Sequence, residues 1–480
     1  MTVDEARIAR LERQLDAALA LIDRQAQQLE VLGDRCKRLE EENADLRRKL
    51  AQNSSNSSKP PSSDSPRDRA ARRGASPTGG SRGAQPGHKP KKRELVPVKE
   101  LNSVTECFPE HCRGCARGLP KRRDPEPRRH QVWDLPEIKP IVDEYRLHRT
   151  KCDVCGKTTC AAPPAGVPKG AFGPGVLSLA TLLVADGHMS RRKVVGVLRD
   201  AFGLDISLGA LSESEWIMSE AVSSAVEEVR QHAVNAEVKH IDATGWSEAG
   251  SAKTLWAIAT TSVTAFSIAA SGAASFLRAW LGRAHGTLVS DRATVFSFWV
   301  MERRQVCWAH LIRKFVEFIE RGGRARRIGN GLLRLTRLMM LTYHRVRDGT
   351  AQHAELQHVV ELVRPRIEQL LRQGTLPSAR GIQGACADIL DHRDALWTFA
   401  NDPAVEPTNN HAERELRGIV IWRKSTAGSR SARGNEFAAN LKTVIHTCRK
   451  QRRNVLGFLR ATIVAALHRQ PTPSLLRHAL

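Results

Sequence analysis

Three acidic residues carry the chemistry most readily read from this chain: Asp242 in VKHIDATGW, Asp291 ending GTLVSD, and Glu413 in PTNNHAERELR. Breaking or joining a phosphodiester requires charge neutralisation at phosphorus and activation of a water or a 3′-hydroxyl. Two divalent cations about 4 Å apart do both in an in-line displacement. Mg2+ and Mn2+ are hard cations that prefer oxygen ligands, which calls for carboxylates rather than His or Cys. No positioned base is then needed, because coordination lowers the pKa of the attacking group. Singly, each acid has an ordinary reading. Asp242 and Asp291 could be strand-end residues that open turns, and Glu413 could close a capping box if Asn410 is the N-cap. Glu415, two residues on, faces away from Glu413 on a helix.

Donors surround these acids. Asn409, Asn410, Arg414 and Arg417 flank Glu413, and Arg423, Lys424, Arg430 and Arg433 fall in WRKSTAGSRSARGNE, a basic, Ser- and Gly-rich segment suited to backbone phosphates. A solvated loop is the plain alternative. Cys307 and His310 in CWAH read either as metal ligands or as core residues that support the site.

The elements that must position the acids follow from local pattern. Val238 to Ile241 and Gly286 to Val289 are rich in β-branched residues and read as strands ending near Asp242 and Asp291, while the residues around Glu413 read as a helix opening. From Lys239 the order is strand, strand, strand, helix, strand, followed by a strand in RQVCWAH, which is the order of a ribonuclease-H-like α/β core. Its first part spans 236–320 and its second, with the catalytic helix, 401–452, separated by a helical insertion at 321–400. Thr254 to Leu277 has no charged residue and is long enough for a bilayer, but its eight Ser or Thr residues and two apolar runs fit a strand hairpin better.

At 480 residues the chain suits about three domains. Lys and Arg (75) exceed Asp and Glu (51) by 24, which points to a polyanionic partner, nucleic acid ahead of an acidic membrane surface. The opening MTVDEARIARLERQL lacks the apolar core of a signal peptide, so a reducing, cytoplasmic and nucleoid-associated setting is expected, with the ten cysteines unpaired.

Residues 1–50 read as a coiled coil, with Ile8, Leu15, Ile22, Leu29, Cys36, Asn43 and Leu50 at one core position and Leu11, Ala18, Gln25, Leu32, Leu39 and Leu46 at the other. Asn43 is the kind of core polar residue that favours a parallel dimer, so a homo-oligomer is expected. Residues 51–101 form a Ser-, Pro-, Gly- and Arg-rich tract that cannot bury enough apolar surface to fold, hence a flexible basic linker. Between residues 51 and 130 there are 18 Lys or Arg against 8 acids, so ten of the 24 net charges sit there. In 102–165, Cys112 and Cys115 form one C-x-x-C knuckle and Cys152 and Cys155 another, which predicts a structural tetrahedral zinc. Cys107 and Cys160 blur the ligand choice, and HQVWDLPEIKPIVDEYRLHRT between the knuckles reads as two strands that bring the pairs together. Residues 166–235 are helical, and MSRRKVVGVLRDAFGLDISLGALSESEWIMSEA reads as two helices around a turn, either a DNA-reading helix-turn-helix or a plain packed pair. Residues 453–480 read as a C-terminal tail. The fold class is therefore a multi-domain α/β chain.

These residues resemble the IS66 family of bacterial insertion-sequence transposases. The likeness rests on QNSSNSSKPPSSD after the coiled coil, CDVCGK, LVSDRATVF, VCWAHLIRKF and above all PTNNHAERELRGIVIWRKSTAGS. It implies a DDE-type enzyme of ribonuclease-H-like fold whose motif falls on Asp242, Asp291 and Glu413, with Mg2+ as cofactor. It further implies binding to the element's terminal inverted repeats and to target DNA, and small accessory proteins of the same element as partners, away from any membrane. The competing readings are a non-catalytic DNA-binding regulator derived from such an enzyme, which would have no need of three metal-ligating carboxylates, and a nuclease that cuts without strand transfer.

Overall fold

The computed structural model describes residues 93–476 without a break and, upstream, only scattered positions between 25 and 47. Gln25, Leu29, Leu32, Cys36, Leu39 and Asn43 are helical and exposed. The other expected coiled-coil positions, and the linker as far as residue 92, lie outside the described residues.

In chain order, short strands β1 (Arg149–Lys151) and β2 (Thr158–Cys160) are followed by helices α1 (Pro174–Ala185), α2 (Arg191–Phe202) and α3 (Leu208–Asn235). Then come β3 (Val238–Glu248), β4 (Ser251–Ala259), β5 (Thr264–Ala269), α4 (Ala274–Leu281), β6 (Thr287–Ser290) and β7 (Arg304–Val306). Helices α5 (Trp308–Glu320), α6 (Gly323–Arg347), α7 (His353–Gly374), α8 (Gln383–Asp391) and α9 (Thr398–Asn401) precede α10 (Asn410–Thr426), α11 (Ala432–Lys450) and α12 (Val455–Leu467). Two compact units result. Among the residues described from 93 onward, one holds 224–453 and 474–476, the other 93–223 and 454–473.

The first unit is built on a five-stranded sheet in the order β5-β4-β3-β6-β7. The β3–β4–β5 meander is antiparallel, whereas β6 and β7 run parallel to β3. The uncharged stretch from Thr254 is thus the β4–β5 hairpin leading into α4, and among the described residues no helix is long and apolar enough to cross a membrane. The open edge of β5 is covered by α11. Thr443 and Thr447, one helical turn apart, accept the Phe266 and Thr264 amides at 3.0 and 3.2 Å. These hydroxyls satisfy backbone donors that would otherwise template another strand.

The other half of the sheet carries the helical insertion. Val289 and Val306 share a core with Trp308, Phe315 and Phe318 of α5, Leu332 of α6 and Ile367 of α7, all nearly inaccessible. The entry to β6 is fixed by Gly286, at φ +79, where a Cβ would lie 2.4 Å from the Glu237 carbonyl oxygen. Only glycine permits that approach. Beside it the buried Lys239 ammonium donates to the carbonyls of Ala236, at 2.7 Å, and His285, and burial pushes its pKa down to about 8.

In the second unit, the knuckle turns repeat one geometry. Cys112 N–H donates to Arg117 O and Ala116 N–H to Cys112 O; Cys152 N–H donates to Lys157 O and Gly156 N–H to Cys152 O, all at 2.8–2.9 Å. Residues 131–148 between them are irregular and largely exposed rather than two strands. Pro136 and Pro140 remove ladder donors there, and no partner strand pairs with the rest. Helix α2 is N-capped by Ser190 and ends on Gly203 in the left-handed region. The segment expected as a C-terminal tail contains α12, which packs against α1.

Candidate active site

The sheet register sets two of the acids side by side. Pairing of β3 with β6 runs Val238↔Thr287, Lys239↔Leu288 and His240↔Val289. Extending it by two residues puts Asp242 opposite Asp291, on the same face because side chains alternate with period two. Asp242 does not end its strand as its sequence suggests. β3 continues to Glu248 along β4, where Asp242 pairs with Ala257, so the acid lies inside β3 just past the end of β6. Each aspartate is held by a neighbouring amide: Ala243 N–H donates to Asp242 Oδ1 and Ala293 N–H to Asp291 Oδ1, both at 2.9 Å.

Glu413 arrives from α10, which packs across β3 and β4. The N-cap is Asn409, not Asn410, and it makes no capping bond, so Glu413 is the fourth helical residue and the capping-box reading fails. Instead Asn409 Nδ2 donates to Ile241 O at 2.7 Å, and its amide N–H to Cys307 Sγ at 3.1 Å. The start of α10 is thereby bonded to the residue preceding Asp242 and to the junction of β7 with α5. A salt cluster fixes the helix's rotation. Glu415 points toward α11, 2.5 Å from His446 Nδ1 and 3.3 Å from Lys450 Nζ. Burial alone would raise its pKa, but these partners hold it at about 2. His240 and His411, each two residues before an acid, pack with ring centroids 5.0 Å apart and planes tilted by 38°. Burial pushes them down to about 3 and about 4, so both imidazoles are neutral.

The three acids lie close enough for their charges to act on one another, although their oxygens do not form one of the ligand clusters of the described residues. Burial first, then the charges of Glu413 and Asp291, raise the Asp242 carboxyl to about 7, with Arg313 opposing. Glu413 Oε1 is buried without a hydrogen-bond donor; His310 Nδ1 is 3.8 Å away and Arg313 Nη2 4.0 Å. An orphaned carboxylate oxygen among mutually repelling acids fits a divalent cation. Cys307, His310 and Glu413 also offer ligand atoms within 4.8 Å of one another, as do His240, Glu406 and His411. Burial raises the Cys307 thiol, which suits a buried amide acceptor more than a thiolate ligand.

Of the expected DNA contacts, Arg414, Arg417, Lys424, Arg430 and Arg433 are exposed, while Arg423 reaches back to Thr244 Oγ1 at 3.5 Å. The four knuckle cysteines are not gathered into one ligand set. Among the described residues, the only clusters of metal-ligating side chains are the two just named. Within each turn, amides at Cys115 and Gly114, and at Cys155 and Val154, lower the Cys112 and Cys152 thiols, the chemistry a cation would exploit.

Besides His240, His411, Glu406, His446 and Lys450, the sequence reading does not single out Arg313 and Arg304. Arg313 stands one turn after His310 on α5, a spacing that could have marked it. Arg304 is fully buried and donates to the Asp291 carbonyl at 2.7 Å, holding that loop against β7. No sequence signal singles it out, since it opens its strand between Arg303 and Gln305, which are polar as well.

Comparison with known proteins matches residues 169–437, more than half of the chain and inclusive of all three acids, to the model described as "Transposase IS66 family". Residues 4–94 match a family of unknown function (DUF6444). An uncharacterised protein, y4qI of Sinorhizobium fredii, is 27% identical over 166 residues, which is 33% of this chain and 30% of that protein's length. On the family match, which covers the sheet, the insertion and the start of α11, this chain belongs to the IS66 family of transposases.

Proposed function

We propose that this transposase binds the terminal inverted repeats of its element and catalyses metal-dependent cleavage and strand transfer of DNA through Asp242, Asp291 and Glu413. The observation that carries the reading is the β3–β6 register that sets Asp242 opposite Asp291, with the charges of Glu413 and Asp291 both acting on the buried Asp242 carboxyl. The sheet order, with one aspartate on the first strand and another after its parallel neighbour, supports a ribonuclease-H-like catalytic core.

Asp242, Asp291 and Glu413 would hold two Mg2+ or Mn2+ ions, which when bound neutralise charge at phosphorus and lower the pKa of the attacking hydroxyl. The chain's own residues do the rest. Asp242 gives up its proton on loading, since a neutral carboxyl is a poor ligand. The Ala243 and Ala293 amides each occupy one carboxylate oxygen and orient the other. His310 and Arg313 stand behind Glu413, and the exposed cations of α10 and the loop after it engage backbone phosphates. The knuckle cysteines Cys112, Cys115, Cys152 and Cys155 would close on one structural zinc, and the amino-terminal helix would assemble a homo-oligomer.

The test incubates purified protein and Mg2+ with a labelled duplex carrying the element's terminal repeat, beside Glu413→Gln. Nicks at 3′ ends and joined products, lost in the variant, are expected. Binding without chemistry, with the element's accessory proteins supplied, would point to the DNA-binding regulator, and nicks that never join to a nuclease.

A further inference from the structure

The insertion helix α6 has a charge pattern unlike its neighbour. Its 25 residues carry seven arginines and no acid. Helix α7, packed beside it, has three Arg and three Glu over 22 residues, and Arg364 and Arg372 both bond Glu368 at 3.1 Å. On α6, Arg327, Asn330, Arg334, Arg337, Leu338 and Leu341 recur at helical spacing and are all exposed. Only Arg345 and Arg347 of the helix make ion pairs, with Glu355 and Asp348; no acid pairs with Arg327, Arg334 or Arg337 among the described residues.

An exposed row of unpaired guanidiniums is unfavourable by self-repulsion unless a polyanion covers it. Its place in the unit is also informative. Gly329 packs so closely on α5 that a Cβ would lie 2.8 Å from the Phe315 carbonyl oxygen. The two helices are joined by the short turn at Arg321 and Gly322 and so run antiparallel; five residues further along each, Arg334 comes level with His310. We infer that this face of α6 binds the phosphate backbone of duplex DNA, extending the contact beyond the segment around Glu413. The inference rests on the transposase reading above. The recognition is sequence-independent, because arginines along one helix face meeting phosphates read charge and not base edges.

The test compares the full chain with two triple variants of equal net charge: Arg327→Gln/Arg334→Gln/Arg337→Gln on α6, and Arg364→Gln/Arg366→Gln/Arg372→Gln on α7. Binding to a labelled duplex of arbitrary sequence is followed across a NaCl titration, with thermal melts as a folding control. Each lost phosphate contact lowers the log–log salt slope by roughly one unit. The α6 variant should therefore lose about two to three units and bind on the order of tenfold more weakly at physiological salt, while the α7 variant changes little. Single replacements of the three α6 arginines should each remove about one unit, which keeps the test valid if the triple variant folds poorly. Equal losses in both triple variants would reduce the effect to bulk charge and overturn the inference. So would an unchanged α6 variant, or one that loses self-association but not DNA binding. A wild-type chain that binds no DNA would overturn the inference and the functional reading together; wild-type binding with an indifferent α6 variant would overturn only the inference.

Discussion

Replacing Asp242 by Asn should stabilise the metal-free protein even as it abolishes activity. Burial, then the charges of Glu413 and Asp291, lift this carboxyl from 3.8 to about 7. An acid with a raised folded pKa contributes stability that is fully present below its unfolded pKa and lost as pH rises through the folded one. A shift of about three units, at ~1.36 kcal/mol each, sets a ceiling of about 4 kcal/mol on the penalty above pH 7. At pH 4, where the unfolded chain is itself partly protonated, the same arithmetic leaves under about 1 kcal/mol. Local relaxation and water entry lower the ceiling, so a gain of about 1–3 kcal/mol is expected for Asp242→Asn at pH 8 without metal. Asn preserves the shape and an acceptor for Ala243 N–H. Thermal melts followed by tryptophan fluorescence suit the assay, because Trp246, Trp256, Trp299, Trp308, Trp397 and Trp422 are all buried in the unit that holds the site. Adding Mg2+ should then raise the melting temperature of the wild type and not of the variant, reversing part of the difference by mass action. A variant no more stable than wild type at pH 8 without metal, or a gain that persists undiminished at pH 4, would refute the electrostatic account of the site.

Asn409→Ala removes the bond to Ile241 O that fixes the start of α10, and should cost about 1–3 kcal/mol in melts together with a larger fall in kcat than in substrate affinity. Thr443→Val strands the Phe266 amide at the edge of β5 and should cost about 1–3 kcal/mol, with Thr443→Ser recovering much of it. Metal analysis of purified protein should find about one zinc per chain, lost in Cys112→Ser and in Cys152→Ser alike. Retention of zinc in either variant would exclude the four-cysteine site.

The alternation from Lys239 onward was legible because each strand of this sheet has a β-branched or apolar run bounded by a turn signal, such as Gly286 before β6. What the pattern could not give was strand length. Val238 to Ile241 looks complete in itself, yet pairing with β4 carries β3 on through polar Thr244 and Ser247. Cap geometry was equally hidden. Asn409 and Asn410 are adjacent and chemically alike, and only the bond from Asn409 to Ile241, a contact 168 residues apart in sequence, decides which one starts the helix. Arg304 and the Glu415–His446–Lys450 cluster were invisible for the same reason, since their partners come from distant segments. Between the knuckles the reading erred the other way: apolar residues such as Val132, Ile141 and Val142 suggested strands, but two prolines and the lack of a pairing strand leave them exposed.

Asp242, Asp291 and Glu413 are proposed to share one divalent-metal site. Electron paramagnetic resonance of Mn2+ titrated into the wild type and into Asp242→Asn, Asp291→Asn and Glu413→Gln tests it without reference to DNA. Mn2+ should bind the wild type, and its affinity should fall on the order of tenfold or more in each variant, as loss of a charged oxygen ligand demands. Full Mn2+ affinity in any one of the three would remove that acid from the site and contradict the account.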